Sequence, residues 1–370
     1  MPSTERIYMN STYCTAPFHH IYCDNGGRYR LCCHAGPNKS ISKYSSTTHT
    51  PFEYFMSEEM EQIRQDMMEG KKINGCESCY KIEDAGNQSW RQWKYNKLYD
   101  HDTVVNRVGL KLRINGSFCN LSCFMCFPYN SSTRRTELKE SKIDWSQYDA
   151  GYVPVMSGQY DRIIKDIIKN IEVVDYMNIT GGEPIQLPKH WELIDAIPDE
   201  YAKNITLSYD TNLTKLKWKD RSIFDVAKRF KSVKLGVSCD HYGKKLSWIR
   251  YPIDVDEFEH NIVTALSLIT QLNCTVSILN VHDLDDIYRY YKTKFGLETT
   301  FSNVLTGPDI LSIKNLPNKK ELSKLYQKNN MIIQELQKAA DKDQYQKGLE
   351  YCQKLSDHRQ FQYKELWQHL

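Results

Sequence analysis

Short β-rich runs alternate with helical patterns between residues 107 and 305 of this 370-residue chain. The runs are rich in β-branched and aromatic residues, and six of them occur: Lys111–Asn115, Tyr176–Thr180, Asn204–Tyr209, Val233–Ser238, Cys274–Asn280 and Leu297–Val304. The segments between them carry helical patterns, over Tyr160–Ile171, Ser222–Phe230, Phe258–Ile269 and Asp283–Phe295. This alternation of strands and helices predicts an α/β fold with a parallel sheet and right-handed crossovers, either an open barrel or a doubly wound sheet.

Two further zones flank this alternating region. Residues 1–100 hold six of the twelve cysteines and one clear helical pattern, Phe55–Met68. Residues 316–370 have the pattern of charged helices, such as Lys319–Asp341. We therefore expect an amino-terminal module over 1–100, an α/β domain over 107–305 and a helical carboxyl-terminal extension over 316–370.

The composition is that of a soluble globular protein, with 40% hydrophobic and 26% charged residues. The net charge is only +3, which gives no reason to expect nucleic acid or a membrane as a partner. The first residues lack the apolar core of a signal peptide, and no run of ~18 apolar residues occurs, so we expect a cytoplasmic protein. In a reducing compartment, metal or cluster ligation explains twelve cysteines better than disulfides do.

Three closely spaced cysteines, Cys119, Cys123 and Cys126, follow directly on the first predicted strand. They lie in a loop at the carboxyl end of that strand, where α/β barrels place their chemistry. Three thiolates can hold three irons of a 4Fe–4S cluster and leave the fourth iron open to a small molecule. The alternatives are a structural zinc site, for which a trio is incomplete because zinc favours four ligands, or free thiols.

A diglycine motif follows the second predicted strand, with Gly181, Gly182, Glu183 and Pro184 in succession. Two glycines at a strand end let the backbone approach a ligand closely. Glu183 offers a carboxylate to a cationic amine. On its own, a Gly-Gly turn is usually only a turn.

Together, the cysteine trio and the diglycine motif resemble the radical S-adenosylmethionine (SAM) superfamily. In that family the three cysteines bind a 4Fe–4S cluster, and SAM chelates the open iron through its amino and carboxylate groups. The resemblance implies a partial (β/α)6 TIM-like barrel. It also implies that the glycine motif contacts the SAM amino group.

Later strand ends are similar to the same family and imply further SAM-binding residues: Thr211, Asn212, Ser238, Asp240 and Arg250. Each has an ordinary alternative, as a cap, a turn residue or a surface ion pair. Two positions depart from the family pattern. Leu213 stands where a glycine is usual, and Met125 stands where an aromatic residue is common, although a thioether can also pack against an adenine.

Four amino-terminal cysteines, Cys14, Cys32, Cys76 and Cys79, resemble the layout of the SPASM/twitch group, which holds auxiliary 4Fe–4S clusters. Here the module precedes the barrel, as in twitch-containing radical SAM proteins of bacteria and their phages. Four thiolates would close a cluster completely, which suits electron transfer or a structural role. A structural zinc on the same thiolates is the alternative. Cys33 could replace Cys32, and Cys23 could be a fourth ligand or take no part in the site.

The resemblance implies a radical SAM enzyme that receives an electron from an external donor such as flavodoxin or ferredoxin. It would cleave SAM reductively to a 5′-deoxyadenosyl radical, which removes a hydrogen atom from a substrate. A peptide to be oxidised or cross-linked is the first substrate class, and a small alcohol such as a sugar or nucleoside is the second. The alternative is a non-catalytic iron–sulfur or zinc protein, such as an electron carrier.

Overall fold

A mostly parallel sheet of eight strands forms the centre of the protein. The structure, a computed structural model, describes residues 12–24, 26–99, 104–112, 117–145 and 157–368. The strands are β1 His20–Cys23, β2 Tyr29–Arg30, β3 Val108–Leu112, β4 Val174–Ile179, β5 Thr206–Thr211, β6 Ser232–Ser238, β7 Ile269–Val276 and β8 Thr299–Val304. Their order across the sheet is β8-β7-β6-β5-β4-β3-β1-β2, and every neighbouring pair is parallel except β1 and β2.

Sixteen α-helices occur in the described part of the chain. They are α1 Ala16–His19, α2 Pro51–Phe55, α3 Glu58–Met68, α4 Glu77–Asp84, α5 Asn96–Leu98, α6 Ser132–Glu140, α7 Ser157–Lys169, α8 Pro188–Ala196, α9 Asp199–Ala202, α10 Ile223–Arg229, α11 Gly243–Ile249, α12 Val255–Thr264, α13 Leu284–Phe295, α14 Lys319–Leu325, α15 Asn330–Gln337 and α16 Lys342–Arg359. A π-helical turn over Arg91–Tyr95 precedes α5, and a two-stranded ribbon joins Lys217–Trp218 to Arg221–Ser222. None of the described helices is long and apolar enough to cross a membrane.

The predicted α/β fold with a parallel sheet is confirmed, and the six predicted strands correspond to β3–β8. The largest shift concerns the fifth strand, predicted at Cys274–Asn280 and observed at Ile269–Val276. The backbone N–H of Ser277 donates to Asn280 Oδ1 at 2.8 Å, so a turn replaces the strand there. The preceding helix ends at Thr264, earlier than predicted. Residues 113–115 of the first predicted strand lie outside the described part of the chain.

The amino-terminal segment adds two strands to the same sheet. β1 runs parallel to β3, with His20 opposite Gly109 and Cys23 opposite Leu112, and β2 pairs with β1 antiparallel. The helix predicted at Phe55–Met68 corresponds to α3, which begins at Glu58 because Ser57 is its amino-terminal cap and accepts from the N–H of Met60 at 3.3 Å. Phe55 instead ends α2.

The two faces of the sheet differ in polarity, because successive side chains of a strand point to opposite faces. On one face Leu110, Met177 and Ile179 meet Ile167 of α7 and Leu193 of α8. On the other face, residues in register across β3–β6 are polar: Lys111, Asn178, Ser208 and Lys234. The carboxyl ends of β3–β6 form one edge of the sheet, and the loops that carry the sequence motifs begin there.

The carboxyl-terminal extension is helical, as predicted, but Lys319–Asp341 is not one helix. α14 ends at Leu325, and Asn329 begins α15 by accepting from the N–H of Ile332 at 3.2 Å. α16 then returns to the edge of the sheet, where Tyr351 and Arg359 are buried.

Candidate functional site

The loop after β3 and the loop after β4 are in direct contact. The N–H of Glu183 donates to the carbonyl oxygen of Phe118 at 2.8 Å. Gly182 has φ +54°, and a Cβ at that position would lie 2.1 Å from the same carbonyl oxygen. Only glycine fits there, because a side chain would meet backbone atoms and a left-handed conformation together. The structure therefore brings the diglycine motif against the residue that precedes Cys119.

Glu183 links these loops to the loop after β5. Its side chain is fully buried, and its Oε1 accepts from the hydroxyl of Thr211 at 2.8 Å and from the N–H of Ile185 at 3.3 Å. Its Oε2 accepts from the N–H of Asn212 at 2.7 Å. Burial raises the pKa of Glu183 to about 7, although these hydrogen bonds and the charge of Arg250 act to lower it. The carboxylate thus joins two loops, which leaves the glycine backbone as the surface available to a ligand.

Asn212 connects the β5 loop to the first cysteine. Its Nδ2 lies 3.7 Å from Cys119 Sγ and donates to Asn120 Oδ1 at 3.0 Å. Its Oδ1 accepts from the N–H of Thr214 at 3.0 Å, and Asn120 Nδ2 donates to Thr214 Oγ1 at 2.9 Å. Leu213, at φ +56°, occupies the position where the resemblance expects glycine, and the backbone keeps the left-handed conformation that glycine favours.

Arg250 stands beside the second cysteine. Its Nη1 lies 3.7 Å from Cys123 Sγ, and its Nη2 forms an ion pair with Asp240 Oδ2 at 2.8 Å. Asp240 is fully buried, and its Oδ1 accepts from the N–H of Thr275 at 2.7 Å. Arg250 is only 8% exposed, so the alternative of a surface ion pair is wrong. Its buried Nε has no hydrogen-bond partner among the described residues, which leaves a donor for a bound group.

The remaining predicted residues lie at the same edge. The N–H of Cys126 donates to the carbonyl oxygen of Cys123 at 2.9 Å, so both cysteines share one turn. Burial raises the pKa of the Cys119 thiol, and the nearby Cys123, Glu183 and Cys126 raise it further. Two predicted residues lie beside these loops: Pro184 begins a 3-10 turn, and Ser238 is the last residue of β6.

The donor set fits a 4Fe–4S cluster. Within the described ranges, no three His, Cys, Asp or Glu side chains converge on the position of a single metal ion. A cluster does not need such convergence, because each thiolate binds a different iron. Two of the three sulfurs have a nitrogen donor 3.7 Å away, from Asn212 and Arg250. Such contacts to sulfur are among the features that set cluster potentials.

The amino-terminal cysteines Cys14, Cys32, Cys76 and Cys79 line one pocket. It contains about 410 Å³ of space free of protein atoms, part of it open to solvent. Burial raises the pKa of the thiols of Cys14 and Cys32, and it raises the pKa of Cys76 to about 12. The N–H of Cys79 donates to the carbonyl oxygen of Cys76 at 3.1 Å, at the start of α4. Four cysteine side chains, three of them buried, therefore share one partly enclosed space.

Two neighbouring cysteines do not line this pocket. Cys23 is buried on β1. Cys33 has its Sγ 3.7 Å from the hydroxyl of Tyr95. Burial acts to raise the pKa of Cys33, but the hydrogen bond and charge of His34, with Lys111 and Tyr95, outweigh it and lower the pKa to about 6.

A group of buried charged residues behind the Cys123 loop was not predicted: Arg134, Glu137 and Arg359. One signal in the sequence could have found the last of them. In α16, Tyr351, Leu355 and Arg359 follow one another at four-residue spacing, so Arg359 continues a buried stripe. A charged residue on the buried face of a helix requires a partner inside the protein.

The fold and the site define an α/β protein whose clustered thiols lie at the carboxyl edge of a mostly parallel sheet. Residues 116–291 of this chain match the model of the radical SAM superfamily. The family implies a 4Fe–4S cluster and SAM. No curated protein sequence matches the chain.

Several solved structures align with part of this chain at low identity and with TM-scores below 0.5. Native anSMEcpe with bound AdoMet has 18% identity and a TM-score of 0.38, covering 54% of this chain and 52% of that chain. The structure of Streptococcus suis SuiB bound to precursor peptide SuiA has 13% identity and a TM-score of 0.41, and the alignment covers 80% of this chain and 55% of that chain. The structure of TYW1 with a lysine-pyruvate adduct bound has 17% identity and a TM-score of 0.33, and the alignment covers 74% of this chain and 90% of that chain. The chain thus spans about half the length of the first of these proteins.

Proposed function

We propose that this protein is a radical SAM enzyme whose cluster is held by Cys119, Cys123 and Cys126. The observation that carries the proposal is the contact between the cysteine loop and the diglycine loop, inside the region that matches the radical SAM family. Gly182 fits only without a side chain, and the buried Glu183 fastens its loop to the β5 loop. A structural zinc knuckle would not require this arrangement of three loops.

The chemistry divides between the cofactors and the chain. When bound, the cluster supplies the electron that breaks a carbon–sulfur bond of SAM, giving methionine and a 5′-deoxyadenosyl radical that removes a hydrogen atom from the substrate. Gly181 and Gly182 offer their backbone to the amino group of SAM. Arg250 has an unpaired Nε for a carboxylate, and Asn212 donates toward Cys119. Thr211, Ser238 and Asp240 complete the site by positioning these groups.

Burial protects the site from water. Cys119 and Cys123 are each 8% exposed, and Met125 between the second and third cysteines is 7% exposed. In such surroundings, charge interactions are screened less than at the surface. The nitrogen donors beside the two sulfurs therefore act strongly on the electron affinity of the group that the thiolates hold.

A second 4Fe–4S cluster belongs to this proposal, on Cys14, Cys32, Cys76 and Cys79. Its support is that all four thiols line one pocket. A cluster with four thiolates has no open iron, so it suits electron transfer or substrate positioning. Zinc is the alternative occupant, but it would need the four thiols to converge on one ion, which the described side chains do not do. Iron and sulfide analysis separates the two, because two cubane clusters give about eight irons per chain and one gives about four.

The substrate lies on the polar face of the sheet in this proposal. Lys111, Asn178, Ser208 and Lys234 offer charges and hydrogen-bond groups there, which suits a polar substrate. A peptide to be oxidised or cross-linked is the first class to test, and a small alcohol is the second. An external electron donor, such as flavodoxin or ferredoxin, completes the system.

The test is SAM cleavage by the anaerobically reconstituted and reduced protein. We expect 5′-deoxyadenosine from the wild type and none from Cys123→Ala. Cys23→Ala is the matched control, because Cys23 is also a buried cysteine but lies on β1 and does not line the amino-terminal pocket. A protein that is fully loaded with iron and strongly reduced, but yields no 5′-deoxyadenosine, would instead be a non-catalytic iron–sulfur protein.

A further inference from the structure

The last helix of the described chain, α16, ends against the cysteine loop. Its final residue, Arg359, lies outside the region that matches the family model, which ends at residue 291. The Arg359 Nη2 donates to the carbonyl oxygen of Ser122 at 2.7 Å. Its Nη1 donates to the carbonyl oxygen of Trp248 at 2.5 Å. One guanidinium therefore connects α16, the cysteine loop and the end of α11.

The residue after Cys123 is held in the same way. The carbonyl oxygen of Phe124 accepts from the hydroxyl of Tyr351 at 2.5 Å and from Arg134 Nη2 at 3.0 Å. The backbone N–H groups on either side are also bonded: Ser122 donates to Tyr251 at 2.6 Å and Phe124 donates to Ile249 at 2.9 Å. Every backbone hydrogen-bonding group of the two residues that flank Cys123 thus has a partner.

The buried charges behind this loop do not cancel. Glu137 accepts from Arg359 Nε at 2.6 Å and Nη2 at 3.0 Å, and also from Arg134 and the hydroxyl of Ser122. Two guanidinium groups therefore face one carboxylate, which leaves one positive charge. The side chains of Arg134 and Arg359 have no exposed surface, so solvent screens this charge weakly.

Two aromatic rings pack against the guanidinium of Arg359. The guanidinium of Arg359 lies 5.1 Å from the ring centre of Trp248 and 4.8 Å from that of Tyr251. Both rings offer favourable faces to a cation. Arginine suits the position better than lysine, because its planar fork reaches several acceptors at once.

We propose that α16 is part of the cluster site: Tyr351 and Arg359 are positioning residues that hold the Cys123 segment, and Arg359 supplies a buried positive charge that favours the reduced cluster. This inference rests on the proposed function, because it assumes a cluster on Cys123. It assigns a role to a helix beyond the region of the family match. A purely structural role for α16 would not alter a redox potential.

The first test is a redox titration of the reconstituted protein followed by electron paramagnetic resonance, using the signal that changes when SAM is added. Arg359→Gln removes the charge, so we expect the midpoint potential to become more negative by at least ~59 mV, a tenfold change for one electron. Lys354→Gln is the matched control, since it removes the same charge from an exposed position of the same helix and leaves the potential unchanged. Equal midpoint potentials in Arg359→Gln and the wild type would overturn the proposal that the charge of Arg359 favours the reduced cluster.

The second test measures how fast an iron chelator bleaches the cluster. Tyr351→Phe removes one hydrogen bond to the loop and no charge, so we expect faster bleaching at an unchanged potential. Arg359→Lys keeps the charge but loses the fork, and it should also bleach faster. If Arg359→Gln does not fold, Tyr351→Phe and Arg359→Lys test the inference instead. Bleaching at the wild-type rate in both variants would overturn it. If the wild type itself has no signal that responds to SAM, the proposed function fails instead.

Discussion

The buried carboxyl group of Glu183 should make the stability of the protein depend on pH. The side chain is fully buried between two loops, and burial raises its pKa from 4.5 to about 7. The folded protein therefore binds a proton more readily at this group than the unfolded chain does. Glu183→Gln removes the titration but keeps the shape of the side chain and one acceptor oxygen.

The sign and size follow from linkage. A carboxyl group with a raised pKa contributes stability that is fully present below pH 4.5 and is lost as the pH rises through about 7. Between pH 5 and pH 8, Glu183 should lower the free energy of unfolding by about 2.5 kcal/mol. Glu183→Gln does not have this loss, so the free energy of unfolding of the variant should rise relative to that of the wild type as the pH rises.

Urea unfolding of the iron-free protein at pH 5 and pH 8 measures this difference. Other groups titrate in the same range, but they are shared by both proteins and cancel in the comparison. Glu192→Gln serves as the control, because it makes the same change at a side chain on α8 that is 49% exposed. The same pH dependence in Glu183→Gln and the wild type would refute the assignment of a buried, proton-binding carboxyl group.

Three further outcomes are expected. Gly182→Ala should lower the free energy of unfolding by more than the ~1–2 kcal/mol that a left-handed residue costs, because the new Cβ also meets the carbonyl oxygen of Phe118. The control Gly158→Ala lies in an open helical position and should not destabilise the protein. Urea unfolding compares the two variants, and equal stabilities would contradict the close contact at Gly182. Cys76→Ser should lower the iron content from about eight to about four per chain, and unchanged iron would count against the second cluster. Arg250→Met leaves the buried Asp240 without its cation and should cost about 3–5 kcal/mol in the same unfolding assay, with a smaller loss arguing for water at that carboxylate.

The strands of the sheet follow from the sequence where an apolar pattern is clear. β3–β8 could be placed because β-rich runs alternate with helical ones. β1 could not, since it has four residues that are all buried and show no alternation. The spacing of Ile269 from Phe258 and Ile262 predicts the end of a helix, yet Ile269 begins a strand that pairs with β6. Local spacing does not report such pairing between distant segments.

The sequence names candidate residues for the site, but it does not give their contacts. The motif positions led to Cys119 and Glu183, but the direction of a side chain is set by tertiary contacts. Glu183 points into the protein, where Thr211 and the N–H of Asn212 satisfy it. Arg359 is more than 230 residues from the cysteine loop in sequence, and only the return of α16 brings them together.

The measurement that tests the central claim most directly is the electron paramagnetic resonance spectrum of the reduced, reconstituted protein with and without SAM. If Cys119, Cys123 and Cys126 leave one iron open, SAM should change the cluster signal, and it should still do so in Cys76→Ser. The change should be absent from Cys123→Ala. A wild-type spectrum that SAM leaves unaltered, at full iron content, would contradict a SAM-binding cluster at this edge of the sheet.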